Sequence, residues 1–168
     1  MRRTGRVPLE PQAPGRTEIL GRLSLAKRHL AEATHLAQQG HPILASPYDR
    51  AYDACVVSAT AMVNACGFTS HRDAGYERAL LGAQLLLREL GHPGESRLVD
   101  ELKSRVRPVR RASVCTALDA VTPAGLRRLL DIAAVLAPLL AAEAAAFVEV
   151  EERAPSDWSA MFPTRPEP

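Results

Sequence analysis

Aromatic residues, cysteine and net charge are all scarce in this sequence. Only 4% of the 168 residues are Phe, Trp or Tyr, and no alternating apolar pattern of useful length occurs, which argues against an all-β fold. Three scattered cysteines form neither a disulfide framework nor a CxxC pair. A net charge of +2 gives the chain as a whole no bias toward nucleic acid or membranes.

A secretion signal and a strongly apolar run are also absent. The N-terminal residues 1–17 are basic but contain no apolar core. The longest apolar stretch, residues 132–147, is mostly Ala and is interrupted by Pro138 and Glu143. It falls short of the roughly 20 strongly apolar residues that a membrane span needs. The sequence therefore predicts a cytoplasmic protein with no membrane association.

What the sequence contains is a series of helical patterns with start and stop signals. Apolar residues recur at helical spacing over residues 17–39, 46–66, 70–90, 95–106 with a continuation over 109–118, and 122–153. Thr17, Ser46, Ser70 and Thr122 are predicted N-caps; Ser70 resembles a capping box with Asp73, and a proline follows Ser46 and Thr122. Predicted ends are Gly40, Gly67 and Gly91. Pro108 is expected to break or kink the fourth helix and Pro138 to bend the last.

These patterns predict an all-α, antiparallel bundle of four to five helices. Residues 17–153 form the single bundle, residues 1–16 a disordered basic arm and residues 154–168 a Pro-rich tail. The second helix carries an apolar stripe and a stripe of small residues, and is expected to be buried on two sides. The third helix is expected to turn the following residues inward: Tyr76, Leu80, Ala83, Leu87 and Leu90.

The run Pro47-Tyr48-Asp49-Arg50-Ala51-Tyr52-Asp53-Ala54-Cys55, followed by Ala59-Thr60-Ala61-Met62 and Gly67, resembles the second helix of HEPN domains. His71-Arg72, the Leu-rich third helix and the Arg-rich stretch before the last helix match the same family. The resemblance covers about residues 18–150 and is nearest to a small actinobacterial branch. It implies a small helical bundle whose partners are an identical subunit, a nucleotidyltransferase of a toxin–antitoxin pair, or RNA.

Many HEPN proteins are metal-independent ribonucleases, whose active site contains an Arg and a His a few positions after it. The matching region here contains the arginine cluster, defined as Arg105, Arg107, Arg110 and Arg111 with Lys103 beside it, but no His follows His92. Ser113, Cys115 and Thr116 stand where the family places its His or the aromatic residue beyond it, and none of them shuttles protons without a partner. The expected function is therefore binding of RNA or a nucleotide through the cluster, or binding of a protein.

Two alternatives remain open beside this non-catalytic interpretation. The first is a ribonuclease toxin with a non-standard site, in which His71 joins Arg107 and Arg110. The second is a structural scaffold that binds a partner through Trp158, Met161 and Phe162, although this turn is more often expected to fold back on the bundle. Arginines at a helix end can also be ordinary solvated charges, favoured by the helix dipole or paired with acids such as Asp49, Asp53, Asp100 and Glu101.

The other candidate residues favour structural roles. Tyr52 and Asp53 could border a ligand cleft, but Tyr52 lies on the core stripe and Asp53 is placed to orient an arginine. His29, His35 and His41 are six residues apart, a spacing that does not put a metal-binding pair on one helix face. Cys55 and Cys66 are expected to be buried, whereas basic residues flank Cys115. The sequence predicts neither a cofactor nor a metal.

Overall fold

A computed structural model describes residues 14–40, 43–68, 75–111 and 121–153, with the backbone alone over 105–111 and 150–153. Over these residues the structure contains five helices and no strand. They are α1 (Arg16–Gln38), α2 (Ala45–Ala65), α3 (Gly75–Glu89), α4 (Pro93–Arg111) and α5 (Pro123–Arg153). The prediction of an all-helical bundle is confirmed. Trp158, Met161 and Phe162, and all but residues 14–16 of the predicted arm, lie outside the described residues.

The central element of the bundle is α2, which packs against α1, α3 and α5. Its apolar stripe is buried at Tyr52, Cys55 and Met62, and its small-residue stripe is completely buried at Ala54 and Ser58. Burial on two sides was predicted and is confirmed.

The small residues let the helices approach closely. On α3, a Cβ at Gly82 would lie 2.9 Å from Cγ2 of Val63 on α2, a separation that real Cβ contacts do not reach. Because the β-branched Val63 is 6% exposed and restricted at χ1, it has little freedom to move aside. Glycine at this position therefore sets the distance between α2 and α3.

The inward face of α3 is shorter than predicted. Leu80, Ala83 and Leu87 in the middle of the helix are buried, but Tyr76 is 54% exposed and Leu90 is 39% exposed. The prediction is therefore wrong for these two residues. The helix packs against α2 and α4, and burial does not extend to the two ends of the stripe.

Glycine ends the first three helices as predicted. Gly40, Gly67 and Gly91 have φ values of 64°, 81° and 85°, in the left-handed region that glycine adopts without a steric penalty. After α2 and α3, the chain also forms the paired backbone bonds of a Schellman end. These bonds are Phe68 N to Val63 O (3.1 Å) with Gly67 N to Asn64 O (2.9 Å), and His92 N to Leu87 O (2.7 Å) with Gly91 N to Arg88 O (3.2 Å).

Of the predicted N-caps, Ser70 lies outside the described residues, and among the other three only Thr122 has the expected geometry. Its Oγ1 accepts a hydrogen bond from Gly125 N at 3.0 Å, and Pro123 is the first helical residue. The prediction is wrong for Thr17, which lies inside α1 because Gly15 is the N-cap. It is also wrong for Ser46, since α2 begins at Ala45 after Leu44.

Over Pro123–Glu149, α5 is long and apolar enough to cross a membrane by length and composition, and it is the one helix of the described residues with that property. The expectation that this stretch falls short of a span is therefore wrong. A core helix of a soluble protein passes the same test, and 39% of the apolar window is buried within this bundle. Here Leu129, Leu136 and Leu140 of α5 are completely buried, and the helix packs against α1, α2 and α4.

Candidate functional site

The arginine cluster occupies the C-terminal turns of α4. The helix runs without interruption from Pro93 to Arg111, so the predicted break at Pro108 does not occur. Proline removes one backbone donor from a helix interior, and here the helix continues past that loss. Of the predicted continuation over 109–118, residues 109–111 belong to α4 and residues 112–118 lie outside the described residues.

An uninterrupted helix gives the cluster a defined register. Residues three or four positions apart are neighbours on a helix surface, so Arg107 adjoins both Arg110 and Arg111 along α4. Four residues rise about 6 Å along a helix axis, and Lys103 stands one such step before Arg107 in the same row. The cluster also coincides with the helix C-terminus, where the backbone carbonyls favour cations.

Lys103 is already paired, so it is not a free cation beside the cluster. Its Nζ donates to Asp100 Oδ1 at 3.2 Å and to Gln84 Oε1 at 2.9 Å. The Gln84 amide in turn donates to Asp100 Oδ2 at 2.6 Å. The alternative that basic residues here pair with acids therefore holds for Lys103.

The same contacts extend into a polar network between α3 and α4. Ser96 on α4 is 1% exposed, and its hydroxyl donates to the carbonyl of Gln84 at 3.2 Å. That hydroxyl also accepts a hydrogen bond from Arg88 Nε at 3.0 Å. Sequence reasoning missed this network, although Gln84 is a polar residue one turn after Leu80 on an otherwise apolar stripe.

A second polar contact joins α4 to α5. Arg128 donates from Nε to Glu101 Oε1 at 2.9 Å and from Nη2 to Glu101 Oε2 at 2.7 Å, a bidentate geometry that fixes both side chains. The pKa of the Arg128 guanidinium is raised, mainly by the hydrogen bond to Glu101 and by the charge of that carboxylate. Desolvation opposes this increase, and the charge of Asp131 adds to it. The helix that carries the cluster is therefore held by directed contacts on both sides.

The other predicted site residues lie in different places. Tyr52 is 5% exposed and belongs to the core cluster, in agreement with its structural interpretation, and Asp53 is half-buried beside it. At the contact of α1 and α2, His29 Nδ1 lies 3.3 Å from Arg50 Nη1 and 3.8 Å from Glu32 Oε2. The candidates His71, Ser113, Cys115 and Thr116 lie outside the described residues.

The two described cysteines are in environments that disfavour the thiolate. Burial raises the pKa of the Cys55 thiol to about 12, and it also raises the pKa of the half-buried Cys66. Since the thiolate is the nucleophilic form, neither thiol is activated. Among the residues that the structure describes, no group of three or more His, Cys, Asp or Glu side chains lies close enough to hold a metal ion.

A cavity of about 630 Å³ lies on the side of the bundle where α1, α2 and α5 meet. Sequence reasoning missed it. Its walls are mostly apolar, and the following residues line it: Leu23, Ser24, Ala26, Lys27, Leu30, Ser58, Ala137, Pro138 and Ala141. None of them belongs to α4, so the cavity and the arginine cluster are separate candidate sites.

Comparison of the chain with known family models, curated proteins and solved structures finds no match. The resemblance to HEPN domains therefore stays a prediction.

Proposed function

We propose that this chain is a cytoplasmic, antiparallel HEPN-like bundle that binds RNA or a nucleotide at the C-terminal end of α4 without cleaving it. One observation carries the proposal: α4 continues through Pro108 to Arg111. Arg107, Arg110 and Arg111 therefore lie on one continuous helix, with Arg107 three and four residues before the other two.

The surroundings of α4 support a preset binding surface. The network of Gln84, Asp100 and Lys103 fixes α4 against α3, and the Arg128–Glu101 pair fixes it against α5. A helix that is already fixed in place loses less conformational entropy when residues on it bind a phosphate chain. Guanidinium groups also suit this role because they recognise phosphate oxygens in a bidentate manner.

Titration of a fluorescent single-stranded RNA into the full-length protein tests the proposal by anisotropy. We expect Arg107→Gln/Arg111→Gln to weaken binding and to reduce the salt dependence, log K against log salt, by about 0.7 for each arginine removed. The matched control is Arg78→Gln/Arg97→Gln, which removes two exposed arginines from α3 and from the N-terminal half of α4. Equal losses in the two double variants would mean that RNA responds only to total charge, which contradicts the proposal.

The same samples distinguish binding from cleavage. We expect the RNA to remain intact on a denaturing gel after incubation with the protein. Cleavage that is lost in both Arg110→Ala and His71→Ala would support the ribonuclease alternative and overturn the non-catalytic one. Cleavage that persists in both variants would indicate a contaminating nuclease.

Pairing with a second copy of the chain belongs to the same proposal, and the support for it comes from α3. Leu81 is 49% exposed and Leu85 is 53% exposed, four residues apart and therefore adjacent on the helix surface. Light scattering during gel filtration tests this directly. We expect a dimer that Leu81→Gln/Leu85→Gln converts to a monomer; a wild-type monomer at every concentration would contradict it and leave a nucleotidyltransferase-type partner as the protein to test on this face.

A further inference from the structure

The cavity between α1, α2 and α5 has the dimensions of a ligand-binding site. Its volume of about 630 Å³ lies within the range of roughly 300–1,000 Å³ found for small-molecule pockets. The space exists because alanine occupies three wall positions, Ala26 on α1 and Ala137 and Ala141 on α5. Larger side chains at these positions would fill it.

The residues that line the cavity favour a ligand whose main part is apolar. Leu23, Leu30 and Pro138 supply the larger apolar surfaces of the cavity wall. Their side chains form no hydrogen bonds. An aliphatic or aromatic body would replace water against these surfaces, which is favourable.

One wall residue has an unused hydrogen-bonding group. Ser58 is completely buried, and its hydroxyl has no hydrogen-bond partner in the structure. A buried hydroxyl on a helix commonly donates to the carbonyl four residues earlier, as Thr60 does to Val56 at 2.8 Å. Ser58 makes no such bond, so a polar atom of a ligand would supply the missing partner.

The charge of the wall comes from Lys27, the one ionisable residue among those that line the cavity. Lys27 is exposed, and no carboxylate in the described part of the chain pairs with it. An ammonium group beside an apolar cavity complements an anionic group at the mouth of the cavity.

We propose that this cavity binds an amphipathic carboxylic acid. Its carboxylate pairs with Lys27, its apolar body lies along Leu23, Leu30 and Pro138, and a hydroxyl or carbonyl group on that body bonds to Ser58. This site uses α1, α2 and α5, so it is independent of phosphate binding at α4.

Calorimetric titration of the full-length protein with three probes separates the parts of this proposal. Decanoate has the body and the carboxylate, decanol has the body without the negative charge, and ω-hydroxydecanoate has the body, the carboxylate and a second polar group. We expect saturable binding of decanoate and about tenfold weaker binding of decanol, because a hydrogen bond to a charged group is worth about one order of magnitude in affinity. We expect ω-hydroxydecanoate to bind more tightly than decanoate.

Variants assign these differences to residues. Lys27→Met is expected to reduce decanoate affinity to that of decanol, whereas its matched control Arg28→Met, at the exposed neighbouring position of α1, leaves it unchanged. Ser58→Ala is expected to abolish the advantage of ω-hydroxydecanoate over decanoate. Ala141→Leu should block all three probes by filling the cavity, and Ala142→Leu, exposed on the same helix, should not.

Three outcomes would overturn the proposal. One is the absence of saturable binding for every probe, and another is equal loss in Lys27→Met and Arg28→Met, which would indicate attraction to total charge. The third is unchanged binding in an Ala141→Leu protein that keeps the wild-type helical circular dichroism. Lys27 is on the surface, so Lys27→Met remains a valid test if a cavity variant fails to fold.

Discussion

The surroundings of α2 and the contact between α3 and α4 are built from different interactions. The buried side chains of α2 are mostly apolar, and Cys55, Ala59 and Met62 are completely buried. Between α3 and α4, Gln84 and Ser96 are buried polar residues that bond across the two helices. An ion pair between α1 and α2, Arg50 Nε with Glu32 Oε2 at 3.4 Å, joins partly exposed side chains, whereas the α3–α4 contact has buried polar groups between the helices.

The difference separates two tasks within one small bundle. Apolar burial is non-directional and supplies most of the free energy of folding, but it tolerates small shifts of one helix along another. Hydrogen bonds require particular distances and angles, so the α3–α4 network specifies the position of α4. We infer that the core holds the bundle together and that the network sets where the arginine cluster lies.

The largest effect is expected from a cavity in the core. Leu136→Ala removes a completely buried side chain from α5 and should lower the free energy of unfolding by about 2–5 kcal/mol. Its matched control, Leu20→Ala on α1, where the side chain is 42% exposed, should change it by no more than about 0.5 kcal/mol. Urea unfolding followed by circular dichroism measures both, and similar losses would show that the two leucines are equally buried.

A smaller effect is expected from raising the pH, because the core disfavours a charged thiol. The pKa of Cys55 is about 12 in the folded chain against 9.0 for an unperturbed thiol, so above about pH 9 the unfolded chain releases a proton that the folded chain keeps. The free energy of unfolding should then fall by about 1.4 kcal/mol in total between pH 8 and pH 10 for this group, most of it above pH 9. Unfolding of wild type and Cys55→Ala at pH values from about 8 to 10 isolates the contribution, because other titrations are common to both.

An equal pH dependence of the free energy of unfolding in wild type and Cys55→Ala would contradict the burial of this thiol. Cys66→Ala, at the residue that follows the end of α2, provides the comparison. Since Cys66 is only half-buried, its removal should change this pH dependence less than the removal of Cys55.

The smallest effect on stability is expected in the polar network. Gln84→Leu removes the donor to Asp100 and the acceptor for Lys103, and should cost about 1 kcal/mol, the low end of the range for an unpaired polar group. The low end applies because the Asp100 side chain is 53% exposed and water can replace the lost bond. The exposed Gln38→Leu is the control, and wild-type stability in Gln84→Leu would mean that the network contributes specificity without net free energy.

The sequence predicts that a helix begins near a given residue better than it predicts the exact first residue. Thr122 and Pro123 were correctly placed because an N-cap bond is local to one turn. Ser46 and Pro47 carry the same signal, yet Pro47 is the third residue of α2. The first four backbone donors of a helix have no intrahelical partner, so proline fits the first or third position equally well.

The candidate site shows the same limit. Sequence alone placed the arginines around a break at Pro108, partly on a continuation over 109–118, whereas α4 carries all four on one helix. Neither the pairing of Lys103 with Gln84 on α3 nor the cavity beside Ser58 was predicted. Both arise from residues far apart along the chain, whose proximity depends on how whole helices pack.

Pro138 makes α5 more flexible at one point than an uninterrupted helix of the same length. Its ring nitrogen cannot donate to the carbonyl of Ala134, so this 31-residue helix has a gap in its backbone ladder where it covers the cavity. The segments before and after the gap can flex against each other more easily than two halves of an unbroken rod. Amide hydrogens around Pro138 should therefore exchange with solvent faster than those around Ile132, and a molecule wedged beneath the gap would slow them.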